Sequence, residues 1–170
     1  MESSLHLAIK NNLYWSLVRD GYIVHMEKML GGKCQPDLLL EINDKLIAVE
    51  IQKSPISPIP LLKRMARHTE AGAYTLWLIP KEILDTISYR RRWCELIQKL
   101  QNGVVFLPTG SSKIQPARID LLYGGTRKYI DCYESSVDID EVLFEKNDVF
   151  NFNVAGWPEW WIERDLDLYG

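Results

Sequence analysis

The chain has 170 residues, of which 46% are hydrophobic, and it carries a formal net charge of −3. This length and composition suffice for one buried core, so we expect a single domain. The acidic balance argues against bulk attraction to a polyanion, so a nucleic-acid partner must be met by a local basic surface.

Membrane and disulfide-bonded classes are also disfavoured. No run of about 18 apolar residues is present, and the segment from Met1 to Ser4 lacks the basic start and apolar stretch of a signal peptide. We therefore expect a cytoplasmic protein with no membrane partner. Cys34, Cys94 and Cys132 are odd in number and scattered, which predicts buried thiols rather than disulfides or a zinc site.

The first part of the chain is predicted to hold one helix and three strands. Apolar residues at three- and four-residue spacing predict a helix over residues 4–20, with a serine as N-cap and Gly21 as terminator. Weak alternation predicts a strand over 22–29. Residues 37–42 and 45–52 are predicted to be two strands joined by a tight Asn-Asp turn.

The next part alternates again between the two element types. The proline-rich stretch cannot continue a central strand, and it leads into a helix predicted at about 59–71. The apolar run 73–79 predicts a strand covered on both faces. Helical periodicity follows over 82–101, and then a short strand over 104–107. This order describes an α/β fold in which helices cover the faces of a mixed sheet.

The last part of the chain has a different composition. Gly-rich turns predict a further hairpin from residues 119–123 and 128–133, and beyond it acidic and aromatic residues dominate. We interpret this tail as an extension wrapped on the core, because aromatic side chains bury large apolar areas. The predicted parts are a core of residues 1–108 and an extension of 109–170, packed as one domain. Closure of the core or a homodimer contact is the favoured role of the tail, ahead of base stacking by Trp160 or Trp161.

The hairpin predicted over residues 37–52 carries the chemistry. Antiparallel pairing brings Asp37, at the start of one strand, close to Glu50, near the end of the other. Magnesium prefers oxygen ligands and commonly takes one or two protein carboxylates. Asp37, Glu50 and the backbone carbonyl of Ile51 therefore predict a divalent-metal site that can act on a phosphodiester, with Gln52 on the same face as Glu50. The alternative is that one acid only begins a strand and the other closes a surface ion pair.

Basic residues lie next to this hairpin in the sequence. Lys63, Arg64, Arg67 and His68 recur at three- and four-residue spacing on the following helix and so are predicted to share one side. Phosphate contacts and a solvated helix face are the two interpretations of this stripe. His6 on the first helix has two interpretations as well, a phosphate contact or a place at the edge of the core.

The pattern resembles a known nuclease superfamily. Pro36-Asp37 followed by Glu50-x-Gln52 resembles the PD-(D/E)xK signature, with glutamine where lysine usually stands. A longer pattern, from Glu2 to about Ile79, is similar to the competence protein CoiA-like branch. It consists of Glu2-Ser3, His6, Lys10, Glu27, Pro36-Asp37, Ala48 to Gln52, Ser54 to Ser57, Arg64 and the apolar strand with Trp77.

The resemblance implies a restriction-endonuclease-like αβββαβ core and a metal-dependent DNA endonuclease that uses Mg²⁺ or Mn²⁺. Glu27 is implied as an additional acid near the metal, and Gln52 takes the lysine position. A neutral amide orients water but carries no charge, so we expect Lys10 to supply that charge. The residues expected to contact DNA are His6, Lys53, Ser54, Lys63, Arg64 and Arg67, with Lys53 expected on the opposite face of its strand from Gln52.

Two alternatives to an active nuclease remain at this stage. The chain is either a catalytically inactive DNA-binding protein of the same fold, in which Gln52 marks lost turnover, or an accessory protein of a DNA-processing or mobile-element system. In the accessory protein the aromatic tail would be the working surface. The form of the DNA substrate is left open by the sequence.

Overall fold

The structure is a computed structural model that describes residues 3–85, 92–121, 128–132, 135–147 and 151–156. Its helices are α1 Ser4–Arg19, α2 Pro58–Glu70, α3 Lys81–Asp85 and α4 Arg92–Leu100. Its strands are β1 Ile23–Met26, β2 Leu38–Ile42, β3 Lys45–Ile51, β4 Ala73–Leu78, β5 Val105–Pro108, β6 Lys113–Leu121, β7 Lys128–Cys132, β8 Val137–Asp138, β9 Leu143–Asn147 and β10 Asn151–Gly156.

The described strands form one large mixed sheet and one small one. Strands β1 to β7 lie side by side in chain order, and β8 pairs with β6. The pairs β3–β4 and β4–β5 are parallel, whereas β1–β2, β2–β3, β5–β6 and β6–β7 are antiparallel. Strands β9 and β10 form a separate two-stranded sheet. The predicted mixed α/β architecture is therefore confirmed.

Helix α1 forms as its sequence predicts. The side chain of Ser3 caps its start by accepting a hydrogen bond from the backbone N–H of His6 at 3.1 Å. The helix ends at Arg19, and Gly21 follows with φ of 88°, a left-handed conformation that glycine adopts at little cost. His6 and Lys10 are thereby held one turn apart on a rigid element.

The hairpin of β2 and β3 is also confirmed. Its turn residues Asn43 and Asp44 have φ values of 49° and 65°, and a type I′ turn requires positive φ at both positions. At the open end of the hairpin Leu38 pairs with Val49. Asp37 precedes Leu38 and Glu50 follows Val49, so the register of the two strands brings the two acids opposite each other.

The large sheet separates two hydrophobic clusters. On one face Leu13 and Leu17 of α1 pack against buried residues of β1 to β5. On the other face Leu61 and Met65 of α2 pack with residues of β4 and α4, among them Trp77. Because β3 and β4 are covered on both sides, their sequences are almost continuously apolar.

Several predicted boundaries differ from the structure. The strand predicted over 22–29 is limited to β1, because Glu27 has φ of 57° and an extended chain cannot pass through that conformation. The single helix predicted over 82–101 corresponds to α3 and α4, and residues 86–91 between them lie outside the described residues. The paired strand β2 begins at Leu38, one residue later than predicted.

The segment after β5 agrees with its prediction in part, because β6 begins at Lys113 and not at the predicted residue 119. Strands β6 and β7 form the predicted hairpin. Val142 and Phe144 are buried in the cluster that contains α1, and the ring of Phe144 lies 5.7 Å from that of Tyr74. The predicted contribution of three other aromatic residues falls outside the described residues: Trp157, Trp160 and Trp161.

The sequence predicts neither a membrane-spanning helix nor a disulfide. In the described ranges, no helix has the length and apolar character needed to cross a membrane. The three cysteines are free thiols, of which Cys94 is buried and Cys34 and Cys132 are partly buried.

Candidate active site

A polar cleft of about 560 Å³ opens where the β2–β3 hairpin ends. Residues from the start of α1, the segment before β2, the end of β3 and one side of α2 line it. Both predicted metal-binding acids border the cleft. Its lining comprises Ser3, His6, Lys33, Cys34, Gln35, Asp37, Glu50, Ile51, Gln52, Lys53, Ser54, Arg64, Arg67 and His68.

Asp37 is held by two contacts to one of its oxygens. The backbone N–H of Ile51 donates to Oδ2 at 2.8 Å, and Nε2 of His6 lies 3.2 Å from the same atom. The side chain of Asp37 remains 17% exposed. Its carboxylate is therefore fixed against the end of β3 and the first turn of α1 while it still reaches the cleft.

Glu50 is a buried acid, with only 6% of its surface exposed. Its Oε2 lies 3.5 Å from Nη1 of Arg64, and its Oε1 lies 3.4 Å from Nε2 of His68. Burial raises the pKa of the Glu50 carboxyl and the charge of Asp37 raises it further, whereas His68 and Arg64 lower it. Burial and the charge of Asp37 prevail, so the contacts with His68 and Arg64 do not fully offset the cost of burying the charged form of Glu50.

Gln52 extends the line of polar groups beyond Glu50. Its backbone N–H donates to the carbonyl of Leu78 at 2.9 Å, which holds it beside the end of β4. Its side-chain Nε2 donates to the carbonyl of Ser54 at 2.6 Å, and its Oε1 lies 3.5 Å from Nη1 of Arg64. The Arg64 guanidinium thus contacts both Gln52 and Glu50.

Lys10 and Glu27 form a charged pair on the other side of Asp37. Nζ of Lys10 donates to Oε1 of Glu27 at 2.8 Å. Lys10 is only 1% exposed, whereas the Glu27 side chain is 56% exposed. Together with Gln35, Pro36 and Asp37 they line a smaller cavity of about 260 Å³. The predicted ligand Glu27 therefore borders Asp37, but not the cleft that contains Glu50.

The left-handed conformation of Glu27 is supported locally. The Gln35 side chain donates a hydrogen bond from Nε2 to the backbone carbonyl of Glu27. A non-glycine residue at positive φ stores strain of about 1–3 kcal/mol and is often found at functional sites. This turn directs the chain from β1 so that Glu27 meets Lys10.

The predicted basic stripe of α2 divides into three environments. Arg64 and Arg67 border the cleft, as do Lys53 and Ser54 from the loop after β3. Lys63 is exposed and is not among the residues that line the cleft. His68 lines the cleft too and, like Arg64, contacts Glu50, so it shares that side of α2, but it is fully buried.

Lys53 also differs from its expected placement. It was expected on the opposite face from Gln52, yet both residues line the cleft. Strand β3 ends at Ile51, and the regular alternation of side chains ends with it.

The donor set fits a hard divalent cation with few protein ligands. Across the described part of the chain, no three His, Cys, Asp or Glu side chains converge as a metal-binding group. Among the residues that line the cleft, Asp37 and Glu50 carry carboxylates, Gln52 carries an amide, and Ile51 has a backbone carbonyl. Magnesium keeps several waters and takes one or two carboxylates, so this set suits it, whereas zinc usually takes His or Cys ligands.

Sequence reasoning missed the buried partners of Glu50. His68 contacts Thr75 of β4 through Nδ1, at 2.8 Å from the hydroxyl oxygen. Both residues are fully buried. The available signals were a histidine on the side of α2 that also carries Leu61 and Met65, and a lone threonine in the apolar run of β4.

Comparison with known protein families gives one match. A family model described as competence protein CoiA, nuclease-like domain, matches residues 2–103. The match contains α1, the hairpin with both acids, α2 and β4. Searches of curated proteins and of solved structures found no significant match.

Proposed function

Because this chain belongs to the family of the competence protein CoiA nuclease-like domain, we propose that it is a metal-dependent DNA endonuclease. In this proposal the cleft around Asp37 and Glu50 is the active site, and Mg²⁺ or Mn²⁺ is the cofactor. When bound, the ion would polarise a phosphodiester and lower the pKa of a water molecule. Asp37, Glu50 and the carbonyl of Ile51 would hold it.

The observation that carries the proposal is the buried carboxylate of Glu50. Arg64 and His68 lie 3.5 and 3.4 Å from its oxygens, and burial still raises its pKa. An incompletely paired buried charge destabilises the fold. If Glu50 had only a structural role, an apolar side chain at this position would give a more stable protein. A cation from solution that binds both carboxylates would complete the pairing and explain why an acid is placed here.

Gln52 cannot supply the positive charge that a lysine would supply at its position. In our proposal Lys10 and Arg64 supply that charge instead. Lys10 borders Asp37 from one side, and Arg64 contacts both Gln52 and Glu50 from the other. In our proposal these cations offset the charge that develops on the phosphate, while the Gln52 amide orients the attacking water. Glu27 holds the Lys10 ammonium in place and serves as an additional acid near the metal.

The DNA backbone would be held by the basic rim of the cleft. Lys53, Arg64 and Arg67 border the cleft, and Ser54 offers a hydroxyl beside them. Phosphate contacts from such side chains position nucleic acid without reading its sequence. In the proposal His6 acts through Asp37, which it contacts, and the exposed Lys63 provides a peripheral phosphate contact.

The test is cleavage of a substrate panel by matched variants. Wild type, Glu50→Gln and Glu41→Gln are incubated with Mn²⁺ and linear, nicked, branched and single-stranded DNA. Glu41 is the matched control because it is an exposed acid on the same hairpin. We expect wild type and Glu41→Gln to cleave at least one substrate, with a loss of at least about 100-fold in Glu50→Gln. Equal cleavage by all three proteins would refute the assignment.

A catalytically inactive DNA-binding protein is the second candidate, because Gln52 stands at the lysine position. The same proteins distinguish it. DNA binding by wild type that is weakened by Arg67→Gln, without cleavage of any substrate in Mn²⁺ or Mg²⁺, would favour the inactive alternative over the nuclease.

A further inference from the structure

Two buried polar side chains, those of His68 and Thr75, lie behind Glu50. His68, in the last turn of α2, is 0% exposed, and Thr75 on β4 is equally buried. Nδ1 of His68 lies 2.8 Å from the Thr75 hydroxyl oxygen, and Nε2 lies 3.4 Å from Oε1 of Glu50. His68 of α2 therefore links Thr75 on β4 to Glu50 on the neighbouring strand β3, the acid that borders the cleft.

The groups that face the two ring nitrogens of His68 determine which nitrogen carries a proton when Glu50 is ionised. An ionised carboxylate only accepts, so a bare Nε2 facing Glu50 would place two acceptors together in a buried site. The Thr75 hydroxyl can donate as well as accept. Two arrangements satisfy both ends: Thr75 donates to Nδ1 of a neutral ring, or an imidazolium donates at both nitrogens. In both arrangements the proton on Nε2 points toward Glu50.

The contact at Nε2 is long for a hydrogen bond. Among the described residues, the buried Nε2 atom has no hydrogen-bond partner of good geometry apart from the 3.4 Å contact with Glu50. A small shift of the carboxylate toward the ring would form that bond. The other oxygen, Oε2, faces Arg64 at the solvent side. Each oxygen of Glu50 thus faces a different residue, Oε1 the fully buried His68 and Oε2 the partly exposed Arg64.

We propose that His68 is a positioning residue that, with Thr75, holds Oε1 of Glu50 and keeps the carboxylate aimed at the cleft. This inference rests on the proposed function for the metal that Glu50 would bind. Groups that orient a metal ligand in this way typically change metal affinity by about 10–100-fold when they are removed. His68 and Thr75 would therefore set metal affinity although neither touches the ion.

The first test measures Mn²⁺ affinity by calorimetry in four variants. His68→Phe keeps a ring but removes both nitrogens, and we expect it to weaken binding by about 10–100-fold. His68→Gln restores an N–H donor near the Nε2 position and should return affinity to within about threefold of wild type. Thr75→Val removes only the hydroxyl and should give an intermediate loss. His25→Phe, on the partly exposed β1, is the control and should match wild type.

Rescue by glutamine separates positioning from packing. If His68 only fills space, Phe should preserve affinity better than Gln, and that order would overturn the inference. If His68→Phe fails to fold, as judged by circular dichroism, the comparison of Gln and Thr75→Val with wild type carries the test. Unchanged affinity in Thr75→Val and a loss in His68→Gln would then contradict the proposal.

The second test needs no metal. The chain has three histidines, so ¹⁵N spectra of the metal-free protein can be assigned with His68→Gln and His25→Phe. We expect a proton on Nε2 of His68 in wild type and a change of its Nδ1 signal in Thr75→Val. A neutral ring protonated only at Nδ1 would overturn the inference whatever the metal results.

The outcomes distinguish the two proposals. Loss of Mn²⁺ binding by Glu50→Gln together with unchanged binding by His68→Phe refutes the role of His68 and leaves the metal site intact. A wild type that does not bind Mn²⁺ refutes the proposed function and, with it, the effect of His68 on affinity.

Discussion

Replacing Glu50 by glutamine should stabilise the metal-free protein. Burial raises the pKa of the Glu50 carboxyl above its ordinary value of 4.5. Between pH 4.5 and the raised pKa, the folded chain therefore binds more protons than the unfolded chain. Unfolding free energy is therefore lost with rising pH across that window. At neutral pH an uncharged glutamine avoids this loss.

The magnitude follows from how poorly the charge is satisfied. The contacts of Glu50 with His68 and Arg64 lie at 3.4 and 3.5 Å, and a buried polar group without good partners costs about 1–3 kcal/mol. We expect Glu50→Gln to gain about 1–2 kcal/mol in unfolding free energy near pH 8. For a chain of this size each kcal/mol shifts the melting temperature by about 2–4 °C, which gives roughly 2–8 °C.

Added metal should stabilise the wild type and so reduce or reverse the stability advantage of Glu50→Gln. At ten times its dissociation constant, Mn²⁺ stabilises a binding-competent protein by RT ln 11, about 1.4 kcal/mol, and it should not stabilise Glu50→Gln. The assay is thermal melting followed by circular dichroism, near pH 4 and near pH 8, in EDTA and in MnCl₂. Glu41→Gln is the control. A lower melting temperature for Glu50→Gln in EDTA at both pH values would refute the reasoning and identify Glu50 as a structural ion-pair partner.

Two further predictions concern the surroundings of the site, and a third concerns the turn of the β2–β3 hairpin. Lys10→Met should reduce cleavage by about 10–100-fold with little change in melting temperature, because the methionine refills the buried volume; equal loss in the exposed control Lys28→Met would contradict a specific role. Arg64→Gln should slow cleavage and further raise the pKa of the Glu50 carboxyl, moving the pH dependence of stability upward; an unchanged pH profile would contradict this. Asn43→Val should lower unfolding free energy in urea by about 1–3 kcal/mol, because φ is 49° there; an unchanged midpoint would show that the turn relaxes.

The elements that local sequence determines were predicted correctly. The β2–β3 hairpin follows from an Asn-Asp turn between two apolar runs, and both turn residues adopt the positive φ that such a turn requires. The adjacency of Asp37 and Glu50 follows from that register alone. The family resemblance from Glu2 to about Ile79 is confirmed by the match to residues 2–103.

The errors arose where distant contacts decide the outcome. Periodicity placed His68 with the basic residues of α2, and like Arg64 it does contact Glu50, but the fold buries it completely against Thr75 of β4. Alternation continued the first strand past Met26, whereas the contacts of Glu27 with Lys10 and Gln35 accompany a left-handed turn. Neither choice is encoded in residue spacing within one segment.

The most direct measurement is a crystal structure of the wild-type protein soaked in MnCl₂, with anomalous scattering recorded at the manganese edge. Our account predicts one strong peak in the cleft, with carboxylate oxygens of both Asp37 and Glu50 at about 2.0–2.3 Å and water completing the shell. No peak in the cleft, or a peak bound only by Glu27 beside Lys10, would contradict it.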